Sequence, residues 1–188
     1  MQKPVSRTVR RRTSGRAGSV KGKRFVIIAS RFYPAISRAL IRGANAVLHG
    51  AGVPGSSIHL LWVPGAFELP VVARRVARHR PRPDAILALG ALIRGDTPQY
   101  EVIAHAVAHA LSQVSVKTGI PVTFGVIVAM TRAQARARAG LGPRPRHGLR
   151  RSRLRRGTPD RPAAVITNRG EEAARAALEI LSLFERLK

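Results

Sequence analysis

Phe25-Val26-Ile27-Ile28-Ala29 is an unbroken apolar run, and Ala85-Ile86-Leu87-Ala88-Leu89 repeats the pattern further along the chain. A strand with one wet face alternates apolar and polar residues. A short run without alternation reads as a parallel strand buried on both faces. After the first run Pro34 stands where a first helical turn accepts proline. Ile36, Leu40, Ala44, Val47 and Leu48 then follow at helical spacing until His49-Gly50-Ala51-Gly52 stops them. The same alternation continues outward. Ile58-His59-Leu60-Leu61-Trp62-Val63 is a second strand, and Pro64-Gly65 turns the chain into a helix from about Ala66 to His79. Arg80-Pro81-Arg82-Pro83 is a linker to the third strand, Ala85 to Leu89. A loop over Gly90 to Pro98 and an Ala-rich helix from about Gln99 to Thr118 come next. Pro121 to Val128 is a fourth strand, and Thr131 caps a short helix ending near Ala139. Asn168 caps a last helix to about Leu187, with Ala174, Ala177, Leu178, Leu181 and Phe184 on one face. Strands alternating with helices predict an α/β fold with a parallel sheet covered on both sides.

The 188 residues suit one domain. Apolar residues make up 45% and aromatics only 4%, so Ala, Val, Leu and Ile must build the core. The absence of cysteine excludes disulfides, thiolate metal sites and a cysteine nucleophile, and suits a reducing cytoplasm. No apolar run approaches the ~18 residues that span a bilayer. The net charge of +25 is concentrated in two segments. Residues 1–24 hold nine Lys/Arg and no acid, and residues 141–161 hold eight Arg against Asp160 alone. Residues 1–23 read as a disordered basic tail, a composition that an organellar transit peptide would share. Residues 24–188 then form the domain, with an Arg/Pro-rich insertion at about 141–162.

In folds of this kind ligands bind beyond the carboxyl ends of the strands. Phe32 and Phe67 follow two of those ends, where a ring can stack on a planar ligand, although the residues alone favour a core role. Gly95-Asp96-Thr97 precedes a helix and can hold a phosphate at its positive end or simply form a capping turn. No Walker A or G-x-G-x-x-G pattern supports a nucleotide cofactor. His105 and His109 share a helix face without a third ligand, so no metal site is expected.

Taken together, the ordered motifs resemble the lumazine synthase family. They are Arg31-Phe32, Pro64-Gly65-Ala66-Phe67-Glu68, Leu89-Gly90 with Ile93-Arg94-Gly95-Asp96-Thr97-Pro98, Phe124-Gly125-Val126, Gln134-Ala135 with Arg138-Ala139-Gly140, and Asn168-Arg169-Gly170 with Glu172-Ala173-Ala174. The resemblance implies a flavodoxin-like three-layer α/β/α fold with a four-stranded parallel sheet. It also implies a cytoplasmic homo-oligomer: a pentamer, with decamers or sixty-subunit shells as further assemblies. The implied reaction condenses 5-amino-6-ribitylaminouracil with 3,4-dihydroxy-2-butanone 4-phosphate in riboflavin biosynthesis, with no metal or organic cofactor. Matched position by position, Phe32 stacks on the pyrimidine. Ala66, Phe67 and Glu68 line the ribityl and ring pocket. Ala91, Leu92 and Ile93 hold the pyrimidine edge through backbone groups. Asp96, Thr97 and Arg138 bind the phosphate, Arg169 retains the positive charge of the family's usual lysine, and Phe124 comes from a neighbouring subunit.

Three positions depart from the family pattern. The usual proton-transfer histidine is Gln99 here, which cannot titrate, so acid–base help must come from elsewhere or be lost. The Asn-Lys-Gly motif carries Arg169, and residues 141–162 form a longer, Arg/Pro-rich connection. A different class of function also fits the charge: a catalytically weak, shell-forming or ligand-binding relative whose Arg-rich segments hold RNA or another polyanion. The same segments would give an active enzyme nonspecific polyanion contacts.

Overall fold

The computed structural model describes residues 20–142 and 167–187. The expected basic tail and Arg/Pro-rich insertion lie outside them, apart from residues 20–23 and 141–142. The elements run β1 (Phe25–Ser30), α1 (Pro34–Gly50), β2 (Ile58–Val63), α2 (Leu69–Arg78), β3 (Ala85–Ile93), α3 (Gln99–Thr118), β4 (Val122–Ala129), α4 (Arg132–Arg138) and α5 (Arg169–Arg186), with one 3-10 turn before β2. All strand pairs are parallel and the sheet order is β2-β1-β3-β4. This is the flavodoxin-like architecture.

The sequence pattern explains the layering. Every residue of β1 is buried, as is β3 up to Ala91, because helices cover both faces of these central strands. Phe25, Ile27, Leu87 and Leu89 point to one layer, with Leu40, Leu48, Ala174 and Leu181 from α1 and α5. Val26, Ile28, Ile86 and Ala88 point to the other, with Leu69, Ala73, Val107 and Leu111 from α2 and α3. Alternate residues of one unbroken apolar run thus serve two cores. Phe184, expected on the buried face of α5, is partly exposed, while Ala173 and Ala174 take the close contacts.

Two boundaries differ from the sequence expectation, and both matter for the site. The helix expected from Ala66 starts at Leu69, with Glu68 as its N-cap residue. Residues 64–68 are held as a turn because the Glu68 carboxylate accepts the Gly65 N–H at 2.8 Å. The third strand, expected to end at Leu89, continues to Ile93 because β4 offers it partners as far as Ala129. Its apolar continuation Ala91-Leu92-Ile93 could have been read as strand, but Gly90 suggested a loop.

Candidate active site

The strand order reverses between β1 and β3. From β1 the chain goes outward to β2, then returns to the far side of β1 for β3. A crevice forms at such a switch point, because the two connections leave in opposite directions. Here strand length deepens it. β1 pairs with β3 only as far as Ala29–Leu89, whereas β3 pairs with β4 as far as Ile93–Ala129. Among the described residues, the β1-facing edge of β3 beyond Gly90 therefore has no strand beside it. Its backbone groups are available to a ligand, as at an exposed sheet edge.

A hollow of about 320 Å³ sits at this place, lined by Phe32, Ala91, Leu92, Ile93, Thr97 and Gln99 among the expected residues. Tyr33, Gly95, Tyr100 and Ile103 complete it. Phe32 is 69% exposed and makes an edge contact with Tyr33, centroids 5.0 Å apart. So large an exposed ring is not a core residue, which favours the stacking reading. Arg132 lies 6.0 Å from the Tyr33 ring centroid, the outer limit of a cation–π contact. Tyr33 is adjacent in sequence to Phe32, and that adjacency was its only signal.

Gln99 opens α3, whose N-cap residue Pro98 provides no side-chain cap. The first N–H groups of this helix therefore lack a capping side chain, and the Glu101 N–H bonds back to the Pro98 carbonyl at 3.0 Å. Asp96 and Thr97 lie exposed in the loop just before them. Beside Gln99, the Tyr100 hydroxyl donates to Glu101 Oε1 at 2.6 Å and also contacts Met130 Sδ at 3.3 Å. The bond to Glu101, aided by slight desolvation, raises the phenol's pKa, so Tyr100 can donate a proton but is no base near neutrality. His105 and His109 are exposed further along α3 and do not line the hollow.

The remaining expected residues sit outside the hollow. Ala66 is buried and Phe67 is 62% exposed at the turn before α2, where Glu68 has one oxygen committed to Gly65. Phe124 lies on the edge strand β4, opposite Ala88 and half-exposed. Its register is three residues, about 10 Å of strand, short of Ala91.

Arg138 and Arg169 converge on a residue that sequence reasoning quoted only as part of a motif. Arg138 Nη2 lies 3.4 Å from Glu172 Oε2, and Arg169 and the Thr167 hydroxyl bond the same carboxylate. Glu172 stands one helical turn after Arg169, a spacing that could have revealed the pair. Partial burial works against the charged carboxylate, but the Thr167 hydroxyl and the Arg169 and Arg138 guanidiniums outweigh it, so its pKa lies below the ordinary value. Asn168 fixes this cluster. Its Oδ1 accepts the Gly170 N–H at 2.8 Å, capping α5, while Nδ2 donates to the carbonyls of Ala39 (3.1 Å) and Ala139 (2.8 Å). Those bonds tie α1, the end of α4 and the start of α5 together. Gly43 and Gly170 permit it: a Cβ on Gly43 would lie 2.6 Å from the Asn168 side chain, and one on Gly170 would meet the Leu40 carbonyl.

The family model described as 6,7-dimethyl-8-ribityllumazine synthase matches residues 22–185. A protein of that name from Gemmatimonas aurantiaca is 41% identical over 166 residues, covering 88% of this chain and 87% of that one. One from Leuconostoc mesenteroides is 36% identical over 166 residues, covering 88% and 91%. One from Xanthomonas campestris pv. campestris is 42% identical over 164 residues, covering 87% and 91%.

Proposed function

The chain belongs to the 6,7-dimethyl-8-ribityllumazine synthase family, and from that membership we propose that it condenses 5-amino-6-ribitylaminouracil with 3,4-dihydroxy-2-butanone 4-phosphate in riboflavin biosynthesis. The observation that carries the reading is the hollow at the β1/β3 switch point. An exposed ring, Phe32, stands there over the unpaired edge of Ala91, Leu92 and Ile93. A pyrimidine needs those two things, a ring face to stack on and a backbone edge to hydrogen-bond. The ribityl chain extends toward Ala66, Phe67 and Glu68, where the second carboxylate oxygen accepts from its hydroxyls.

The phosphate of the four-carbon substrate binds at Asp96-Thr97 and the start of α3, where uncapped N–H groups and the helix dipole favour a dianion. Arg138, with Arg169 beside it on Glu172 outside this chain's own hollow, joins the phosphate from a site shared between subunits and adds a guanidinium fork. Held together, the amine and the carbonyl react as neighbours, and expulsion of phosphate is eased by the same cations. Positioning supplies most of the acceleration, since Gln99 transfers no proton.

Phe124 completes the pocket from a neighbouring subunit in a pentameric ring, a head-to-tail arrangement that closes on itself. The partly exposed apolar residues of β4 and α3, among them Phe124, Val128, Met130 and Val102, support this reading. We assign the enzyme to the cytoplasm, in keeping with a chain free of cysteine. Residues 24–188 form the catalytic domain, and the basic segments at 1–23 and 141–162 add salt-sensitive contacts to polyanions.

The test is lumazine formation from the two substrates by protein freed of nucleic acid in high salt. A rate above the spontaneous condensation is expected. A rate no better than that background overturns the assignment.

A further inference from the structure

The chain contains two tyrosines, and both line the hollow at the β1/β3 switch point. They reach it from different layers. Tyr33 stands at the junction of β1 and α1 and packs against the core shared with α5, whereas Tyr100 belongs to α3 on the other face of the sheet. Their hydroxyls differ as well. That of Tyr100 is committed to Glu101 and Met130. That of the half-buried Tyr33 has no hydrogen-bond partner among the described residues. The base of Tyr33 is fixed by its backbone. Pro34 keeps the residue before it out of the helical region, and Tyr33 sits at φ −118° and ψ 78°. Its carbonyl accepts the Ser37 N–H at 3.0 Å, the first bond of α1, and the Arg31 N–H bonds the Val63 carbonyl at 2.8 Å. Phe32, 69% exposed, lacks such packing. Its ring is held by the edge contact with Tyr33, whose own ring lies 6.0 Å from the Arg132 guanidinium.

We propose that Tyr33 is a further binding residue for the ring-bearing substrate: its hydroxyl hydrogen-bonds the polar edge of the pyrimidine while its ring braces Phe32 for stacking. The proposal rests on the enzyme reading above and adds to it a residue that sets affinity for one substrate of the two. The brace follows from the freedom of Phe32. An exposed ring gives up rotamer entropy when it stacks on a ligand, and a neighbour that already holds it removes part of that cost. The hydroxyl follows from its lack of a partner. A pyrimidine presents carbonyls and N–H groups around its edge, and a phenol both donates and accepts, so it can meet either. The phosphate-bearing substrate is the poorer match. Its phosphate is placed at Asp96, Thr97 and the start of α3, on the side of Tyr100, whereas Tyr33 adjoins the stacking ring. Ala91, Leu92 and Ile93 line the same hollow, so one flat ligand can touch their backbone edge, the Phe32 ring and the Tyr33 hydroxyl together.

The test uses the full-length protein and the variants Tyr33→Phe and Tyr33→Ala, with each substrate titrated against a fixed concentration of the other. Tyr33→Phe keeps the ring and loses the hydroxyl. Its KM for 5-amino-6-ribitylaminouracil should rise about threefold to tenfold, the worth of one neutral hydrogen bond. Its kcat and its KM for the four-carbon phosphate should stay near wild type, as expected when binding is lost equally from ground and transition states. Tyr33→Ala loses the brace as well and should raise the same KM by roughly a further factor of three. A second measurement does not depend on turnover. The dissociation constant of the lumazine product, read from its difference absorbance, should weaken in the order wild type, Phe, Ala. The Phe variant carries the test even if the Ala variant folds poorly. Wild-type KM and product affinity in Tyr33→Phe overturn the proposal. So does a rise confined to the KM of the four-carbon phosphate, which would put Tyr33 and Arg132 on the phosphate. A changed subunit number in Tyr33→Phe, read by light scattering, also overturns it, because the hydroxyl would then bind a neighbouring subunit. If the wild type neither forms nor binds lumazine, the enzyme reading fails and this one with it. An active wild type with an indifferent Tyr33→Phe removes this proposal alone.

Discussion

Gln99 lines the hollow at the first position of α3, where on the proposed reading a titrating side chain would meet the reacting groups. Glutamine can orient but cannot exchange a proton, and its neighbour Tyr100 is held as a phenol by Glu101. Restoring an imidazole with Gln99→His should therefore raise kcat, by about 10² at the lower end of general acid–base contributions. It should also introduce a limb near pH ~6.5 into the rate profile. A steady-state pH series checks both, and an unchanged, flat profile would remove this position from the chemistry. Glu172 presents the opposite case. It touches no part of the hollow, but holds Arg138 and Arg169 side by side. Removing it with Glu172→Ala leaves two guanidiniums repelling each other. The KM for the phosphate-bearing substrate should rise about tenfold, as expected for losing one charged hydrogen bond, with kcat little changed. Fixed-concentration titrations of each substrate separate the two parameters.

The junction of α1, α4 and α5 depends on Asn168. Asn168→Ala removes the cap of α5, about 1 kcal/mol, and leaves the Ala39 and Ala139 carbonyls without their partner, at about 1–3 kcal/mol. Urea unfolding should show a combined loss of about 2–4 kcal/mol, and Gly170→Ala should destabilise too by forcing a Cβ onto the Leu40 carbonyl. The same junction is acid-sensitive. Glu172 has a folded pKa below its unfolded one, so its contribution is fully present above the ordinary carboxylate value and fades as pH falls through the lower folded value. Wild type should lose stability over that interval relative to Glu172→Gln, and melts across pH 3–6 would show the two curves approaching at the acid end. Elements of this kind were legible in unequal measure. β1 and β3 announced themselves as two-faced apolar runs, and the Asn168 cap was visible because its physics is local. The late start of α2 was hidden, since it turns on a carboxylate reaching back to Gly65. The extension of β3 to Ile93 was hidden as well, because a strand's end is set by its neighbour β4 and not by its own residues. Phe32, Thr97 and Gln99 could be assigned to one site from motif order. That Arg138, Arg169 and Glu172 form a separate cluster could not, because the chain between them covers residues 139–168.

At the scale of the whole molecule, the division of expected site residues between separate places bears on assembly. Phe32 lines the hollow at the carboxyl ends of the strands, whereas Phe124 is half-exposed on the edge strand about 10 Å of register away. If one pocket needs both rings, they come from different chains, and a ring of subunits supplies each pocket with one of each. This arrangement makes activity divisible. Phe32→Ala subunits lack the ring of their own hollow but still offer Phe124 to a neighbour. Phe124→Ala subunits keep the hollow and offer nothing. Each variant alone should form inactive or weak oligomers. When the two are unfolded, mixed in equal amounts and refolded together, random neighbours should restore both rings in about a quarter of the sites. Activity should then recover to about that fraction of wild type, above the mean of the separate variants. If both rings served one pocket within a single chain, mixing would restore nothing. Size measurement by light scattering on the mixed sample confirms that the subunits reassembled, so a flat result would count against a shared site and not against refolding.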